Sequence, residues 1–406
     1  MQMNTQSQAP KKILIIGGGF AGIAAARSLV QEKIPNVSIQ LVSKRNHFEY
    51  YPGLYRVVTG ASPIEVCIPL TDMIPDRVAI DIDTITKLSL TENTIIGESG
   101  TIYHYDTLVI ALGSETTFFN VPGLEALSLG FKSVNEALHL KQHLQSLFAN
   151  HTNPAQDELV SHYHVVIVGG GPSGVEVAGD LSAYLQTLAK TYKVDPSLVT
   201  IDLIESNPRL VPTLPPQASA KILARLRKLG VNIFLNRQLM KNEIEEVYLK
   251  DMSMKAKTVI WTAGTQVSKI LQEAQGLVWS PKKRIEVDEY LRAKGYDNVY
   301  IIGDAAATPF SGLAQTAMYD GDYVGSTIAR FMKGKRAHVY KPKPIAFSIP
   351  VGVGWGVFVM GKFRLYGLIP YIIRHVIDFM YFAGIVSVYK LFSMFFDGWK
   401  YRNKTN

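Results

Sequence analysis

Two glycine-rich turns, 152 residues apart, constrain this chain more than any other feature. The first follows the apolar run Lys12-Ile13-Leu14-Ile15-Ile16 and reads Gly17-Gly18-Gly19-Phe20-Ala21-Gly22. The second follows His164-Val165-Val166-Ile167-Val168 and reads Gly169-Gly170-Gly171-Pro172-Ser173-Gly174. Each is G-x-G-x-x-G between a strand-like run and an alanine- or valine-rich helical stretch. The first glycine permits the tight turn and the second lets backbone approach a pyrophosphate. The third lets the helix pack close to its strand, and the helix N-terminus favours anionic charge. One such motif is weak, because glycine turns also serve packing. Two, each in the right context, predict two bound dinucleotides and electron transfer between them.

Each turn has companions further along. The predicted helix from Ala21 to Lys33 leads to a strand at Val37–Val42, and Ser43 stands where a dinucleotide fold presents a carboxylate to ribose hydroxyls. In the second half the strand Val199–Ile204 ends in Glu205, which would bond the ribose and repel a 2′-phosphate, favouring NADH over NADPH. Arg209 lies nearby and weighs the other way. A strand running into a small-residue turn is read in Tyr105–Ile110 with Ala111-Leu112-Gly113, and the pattern recurs in Lys257–Trp261 with Thr262-Ala263-Gly264. A further strand, Asn298–Ile302, runs into Gly303-Asp304 at the head of an alanine-rich segment. There Asp304 either caps a helix or accepts bonds from the ribityl hydroxyls of a flavin.

The order of these motifs resembles the flavoprotein disulfide reductase superfamily with two dinucleotide-binding domains. Within it the chain looks most like the type II NADH:quinone oxidoreductases, through Ser43-Lys44-Arg45-Asn46-His47-Phe48-Glu49-Tyr50-Tyr51-Pro52-Gly53-Leu54-Tyr55 and Val168–Glu176. The resemblance implies FAD held by Gly17, Gly19, Gly22, Arg45, Ala111, Gly113 and Asp304, with Phe20, Ala21, Ser43, Lys44 and Gly303 in the same motifs. It implies NADH held by Gly169, Gly171, Gly174, Glu205 and Gly264, with Ala263 beside them. It also places Ala314-Gln315 against the flavin ring. The family commonly repeats glutamine four residues later on that helix, where this chain has Tyr319. A phenol can stack on or hydrogen-bond a quinone, so the departure bears on the acceptor. Glu176, Gln315 and Tyr319 are the expected catalytic positions, with Glu176 also readable as a helix residue interacting with the dipole.

The single cysteine, Cys67, removes the relatives that need paired cysteines, namely disulfide reductases and sulfide:quinone oxidoreductases, and no metal site is expected. The polar Met1–Pro10 carries no secretory pattern, which suits a reducing, cytoplasmic-type face. Charge is unevenly spread: residues 331–406 carry +10 and the other 330 carry −2. Basic residues interleaved with apolar runs read as a membrane-surface element and exclude a nucleic-acid stripe. The stretch Val376–Phe396 has two charges in 21 residues. On a helix, Arg374, Asp378, Lys390, Ser393, Asp397 and Lys400 fall on one arc, so an in-plane helix with that arc solvated is expected. A homodimer helix ranks second and a spanning helix third.

The resulting expectation is an α/β protein with two Rossmann-type domains and a C-terminal membrane-associated tail. The FAD domain comprises 1–155 and 285–345, the NADH domain 156–284, and the tail 346–406. The expected activity is transfer of hydride from NADH to FAD and of two electrons to a membrane quinone of a respiratory chain, without ion pumping. Alternatives are a reductase with a soluble acceptor, and a membrane flavoprotein that senses or scaffolds without turnover.

Overall fold

In a computed structural model of the chain, residues 9–150, 161–387 and 390–391 are described. The principal strands are β1 (Lys11–Ile16), β2 (Val37–Ser43), β3 (Val78–Ile82), β4 (Thr107–Ile110), β5 (His164–Val168) and β6 (Thr200–Glu205). They continue as β7 (Val231–Leu235), β8 (Thr258–Trp261), β9 (Val299–Ile301), β10 (Ala346–Pro350), β11 (Gly356–Met360) and β12 (Phe363–Gly367). The principal helices are α1 (Phe20–Gln31), α2 (Leu54–Val58), α3 (Val134–Ala149), α4 (Pro172–Thr191), α5 (Pro216–Lys228), α6 (Ala314–Met332) and α7 (Leu368–Ala383).

The chain divides into two units. The first contains the described residues up to Phe48, then Ile68–Glu115 and Thr265–Ile345. The second contains Glu49–Cys67, Thr116–Gly264 and the residues from Ala346 onward. The sequence reading set the changes at 155/156 and 284/285. The structure has them at 115/116 and 264/265, and gives residues 49–67 and the tail to the second unit.

The first unit is built on a five-stranded sheet of order β9-β4-β1-β2-β3. Its pairings are parallel, with Ile13 opposite Ile39 and Ile15 opposite Val109. Ile13 to Ile16 are all buried, as expected for a parallel strand covered on both faces. Leu14, Ile16, Leu108, Ile110 and Ile301 join one core cluster. Helices α1 and α6 approach closely because α6 has glycine at the crossing. A methyl group on Gly325 would lie 2.6 Å from Ser28 Cβ, and one on Gly321 would lie 2.8 Å from Ala24 Cβ.

The second unit repeats the plan with four parallel strands in the order β7-β6-β5-β8, Ile167 lying opposite both Leu203 and Ile260. Val166, Val168, Ile204 and Trp261 form its core with Leu239 and Val247. The antiparallel sheet β10-β11-β12 belongs to this unit and leads directly into α7. Arg225 of α5 donates to the carbonyls of Val351 and Val353, both at 3.2 Å, fixing the β10–β11 turn.

Two expectations need correction here. Asp304 does not head an α-helix: it lies in a 3₁₀ turn, Gly303–Ala305, and the next helix begins at Ala314. The tail helix is not continuous through the stretch Val376–Phe396: α7 runs from Leu368 to Ala383 and stops at Gly384. Ser393, Asp397 and Lys400 of the expected arc lie outside the described residues. No helix among those described is long and apolar enough to cross a membrane.

Candidate functional site

In both units the glycine turn is built the same way. Gly17 and Gly169 have φ of +111° and +116°, a region that disfavours side chains. Gly17 packs against the Ala111 carbonyl, and a methyl on Gly169 would lie 2.9 Å from Ala263 Cβ. The small-residue segments Ala111-Leu112-Gly113 and Thr262-Ala263-Gly264 are thus the surfaces on which the two turns rest. Gly22 and Gly174 press against the carbonyls of Gly17 and Gly169, so any side chain there displaces the helix. Gly19 and Gly171 behave differently. Each precedes the first turn of its helix, and a methyl on either meets no atom within 4 Å. Each unit therefore presents an open cradle at a helix N-terminus, suited to a pyrophosphate.

The residues beside the two cradles differ chemically. In the first unit Ser43 is buried beneath Gly18, a methyl on which would lie 2.6 Å from Ser43 Oγ. The Arg45 amide donates to that Oγ at 3.3 Å, Arg45 is half-buried and Lys44 is exposed. Phe20 and Ala21 are buried at the start of α1. A methyl on Gly303 would lie 3.3 Å from Ala21 Cβ, and Gly113 faces open space. Asp304 accepts a 2.6 Å bond from Ser114 Oγ, and Arg284 donates to its carbonyl. Burial holds the Arg284 pKa below its ordinary value, with Asp304 acting in the other direction. Asp320, unremarked in the sequence, is fully buried; it accepts from Gly303 N at 3.1 Å and Tyr340 Oη at 2.6 Å. Burial pushes its carboxyl up to about 6 against those two bonds. Ala314 and Gln315 open α6, with Tyr319 one turn further on. An open cradle, a carboxylate and a helix N-terminus fit FAD.

In the second unit Glu205 is 6 % exposed and stretches along the turn. It accepts from Gly170 N at 2.6 Å, and from Asn207 N and Nδ2 at 2.7 and 2.6 Å. Arg209 turns away to the carbonyls of Leu214 and Pro212 and to Ser219 Oγ. Its guanidinium is thereby engaged elsewhere, and the charged group bonded into the turn is a carboxylate, which fits NADH. Lys132 donates to the Gly264 carbonyl at 2.7 Å, placing a cation at the Thr262-Ala263-Gly264 turn.

Glu176 stands in a buried ionic cluster of the second unit that sequence reasoning did not assemble. Asp378 accepts from Tyr50 Oη at 2.6 Å and Arg56 Nη1 at 2.7 Å, and Arg374 Nε approaches it at 3.1 Å. Arg374 also donates to the Ser348 carbonyl at 3.0 Å and lies 3.9 Å from Glu176 Oε1. Burial alone would raise the Asp378 pKa, but the two arginines and the Tyr50 bond hold it below the ordinary range. For Glu176 burial wins over Arg374, and its carboxyl is pushed up to about 8. The expectation that Arg374 and Asp378 lie on a solvated arc is therefore corrected. They are 8 % and 3 % exposed, while Leu368, Ile369, Ile372, Val376, Phe379 and Met380 of α7 face outward. Periodicity separates the two faces of a helix without saying which is covered.

Two units with a pyrophosphate cradle each, one flanked by Asp304 and one by Glu205, define a flavoprotein that handles a pyridine nucleotide. The chain belongs to the pyridine nucleotide-disulphide oxidoreductase family, whose model matches residues 11–321. It is 28 % identical over 353 residues, 82 % of this chain and 76 % of the other, to a type II NADH:quinone oxidoreductase of Mycobacterium tuberculosis. To the type II NADH:quinone oxidoreductase of Staphylococcus haemolyticus it is 27 % identical over 378 residues, 88 % and 92 % of the two chains. The fold matches NDH2 of Plasmodium falciparum, solved with NADH, at a TM-score of 0.85 and 19 % identity, covering 96 % and 98 % of the chains.

Proposed function

We propose that this chain is an FAD-dependent NADH:quinone oxidoreductase that works at a membrane surface without pumping ions. The observation that carries the reading is the paired cradles at Gly19 and Gly171, each beside a carboxylate suited to its cofactor. Bound FAD supplies the two-electron chemistry between NADH and the acceptor. The chain's own residues bind, orient and set charge. Gly17, Gly19, Gly22, Ala111, Gly113, Arg45 and Asp304 hold FAD. Gly169, Gly171, Gly174, Glu205, Ala263 and Gly264 hold NADH. Gln315 and Tyr319 flank the acceptor. Glu176, whose carboxyl burial pushes up to about 8 against Arg374, can hold or release a proton near neutrality.

Docking on lipid is supported by α7, whose outward face carries six exposed apolar residues, and by the +10 charge of residues 331–406. Deleting the tail is an unsuitable test, because it removes Arg374 and Asp378 from the cluster around Tyr50 and Arg56. Ile372→Glu with Met380→Glu leaves that cluster intact. The pair should abolish flotation with anionic liposomes while ferricyanide reduction by NADH persists. Unchanged flotation would remove α7 from the membrane contact. Loss of a dimer in light scattering, with flotation retained, would assign the face to a second copy.

A further inference from the structure

Beside α6 in the first unit lies a cavity of about 120 Å³, lined by Phe310, Gln315, Thr316, Tyr319, Tyr340 and Lys343 among others. Its walls carry features that the glycine motifs do not explain. Thr316 is 6 % exposed, and its Oγ1 has no hydrogen-bond partner among the described residues. A buried hydroxyl without a partner is destabilising, a loss that a bound polar group recovers. Lys343 Nζ sits 4.1 Å from the centroid of the Tyr319 ring. Tyr340 packs on Tyr319 at 5.7 Å and Tyr323 at 5.1 Å, and its hydroxyl is held by Asp320. The aromatic wall is thus locked, and it holds an ammonium at the rim.

We propose that this cavity reads the ring of the electron acceptor, with Lys343 meeting a carbonyl oxygen and Tyr319 limiting the ring to a single six-membered one. The inference rests on the quinone reading above. Pockets for drug-sized ligands span roughly 300–1,000 Å³, so at about 120 Å³ this one takes a small ring only, and a single ring demands less room than a fused pair. Reduction would add two electrons and one proton equivalent from the NADH hydride, by way of the FAD the first unit would hold, and a second proton from solvent. Both C=O groups become C–OH, and negative charge builds on the ring oxygens wherever electrons precede protons. An ammonium at the exposed rim, resting on the Tyr319 ring, stabilises that charge when it meets one of the oxygens. In this chain Lys343 therefore does part of what a glutamine at 319 would do, with a full charge in place of an amide dipole. Tyr319 holds the charge in place through its ring face.

The test uses the FAD-loaded full chain, with NADH and three acceptors: a short-tailed benzoquinone, 2-methylnaphthoquinone and ferricyanide. Variants are Lys343→Gln, Lys343→Arg, Tyr319→Ala and the neighbouring Lys341→Gln. The wild type should favour the benzoquinone in kcat/KM. Lys343→Gln should lower that value about 10-fold, Lys343→Arg should restore most of it, and Lys341→Gln should match the wild type. Tyr319→Ala should raise the naphthoquinone-to-benzoquinone ratio. Stopped-flow bleaching of the flavin by NADH precedes the acceptor step and separates the outcomes. Slowed bleaching in Lys343→Gln, or full quinone activity there, overturns the role of Lys343. A wild type that favours the naphthoquinone overturns the size limit. A wild type that reduces ferricyanide but neither quinone overturns the quinone reading itself.

Discussion

Replacing Asp378 by asparagine separates two accounts of α7 by magnitude. On a solvated arc the change would fall within about ±0.5 kcal/mol. In the structure Asp378 is 3 % exposed and receives Tyr50, Arg56 and Arg374 within 3.1 Å. Asparagine keeps the shape but removes the carboxylate that both guanidinium groups meet directly, leaving Arg374 with Glu176 at 3.9 Å and Arg56 with the more remote charge of Glu65. Breaking a buried pair in this way costs about 3–5 kcal/mol, because the uncompensated charges stay desolvated. At roughly 2–4 °C per kcal/mol for a domain near 200 residues, the expected fall in Tm is about 6–20 °C. Calorimetric unfolding of the FAD-loaded full chain measures it directly. Replacing Arg56 and Arg374 by Met together with Asp378 by Leu should recover most of that loss, since a packed apolar cluster needs no ion pairing. A shift under about 2 °C for Asp378→Asn would refute the buried cluster.

Other expectations follow from the two cradles and the titrating groups. Gly22→Leu should release FAD, because its side chain meets the Gly17 carbonyl, whereas Gly174→Leu should keep the yellow colour and slow reduction by NADH; the reverse pattern would reverse the cofactor assignment. Glu205→Ala should narrow the kcat/KM preference for NADH over NADPH, and an unchanged ratio would take Glu205 out of the site. Glu176 has its folded pKa raised from 4.5 to about 8, so its contribution to stability is full below pH 4.5 and lost as pH rises through 8. Melting curves of Glu176→Gln should therefore fall less between pH 6 and 9 than those of the wild type; parallel curves would place Glu176 in solvent.

Much of the site was legible because its constraints are local. A glycine turn needs its strand, its helix and a strand end within a few dozen residues, and Glu205 and Ser43 stand where that arithmetic puts them. The unit limits were less legible. Residues 49–67 belong with the second unit, although they follow directly on β2 and the Ser43–Phe48 segment of the first. The buried cluster joins Tyr50 and Arg56 to residues some 320 positions later. Its one sequence signal was Arg374 and Asp378 on the same helical face, a pattern that a solvated face produces equally well. Lys343 and Tyr340 lie in a proline-punctuated segment with no periodicity to read. Only the coordinates bring them to Tyr319.

The most direct test of electron transfer from NADH through bound flavin to quinone is an anaerobic spectrum of the purified full chain. The protein should be yellow as isolated, bleach on adding one equivalent of NADH, and regain its colour on adding a short-tailed quinone. A colourless protein would contradict the FAD site. A yellow protein that NADH does not bleach, or that quinone does not restore, would contradict the activity proposed for it.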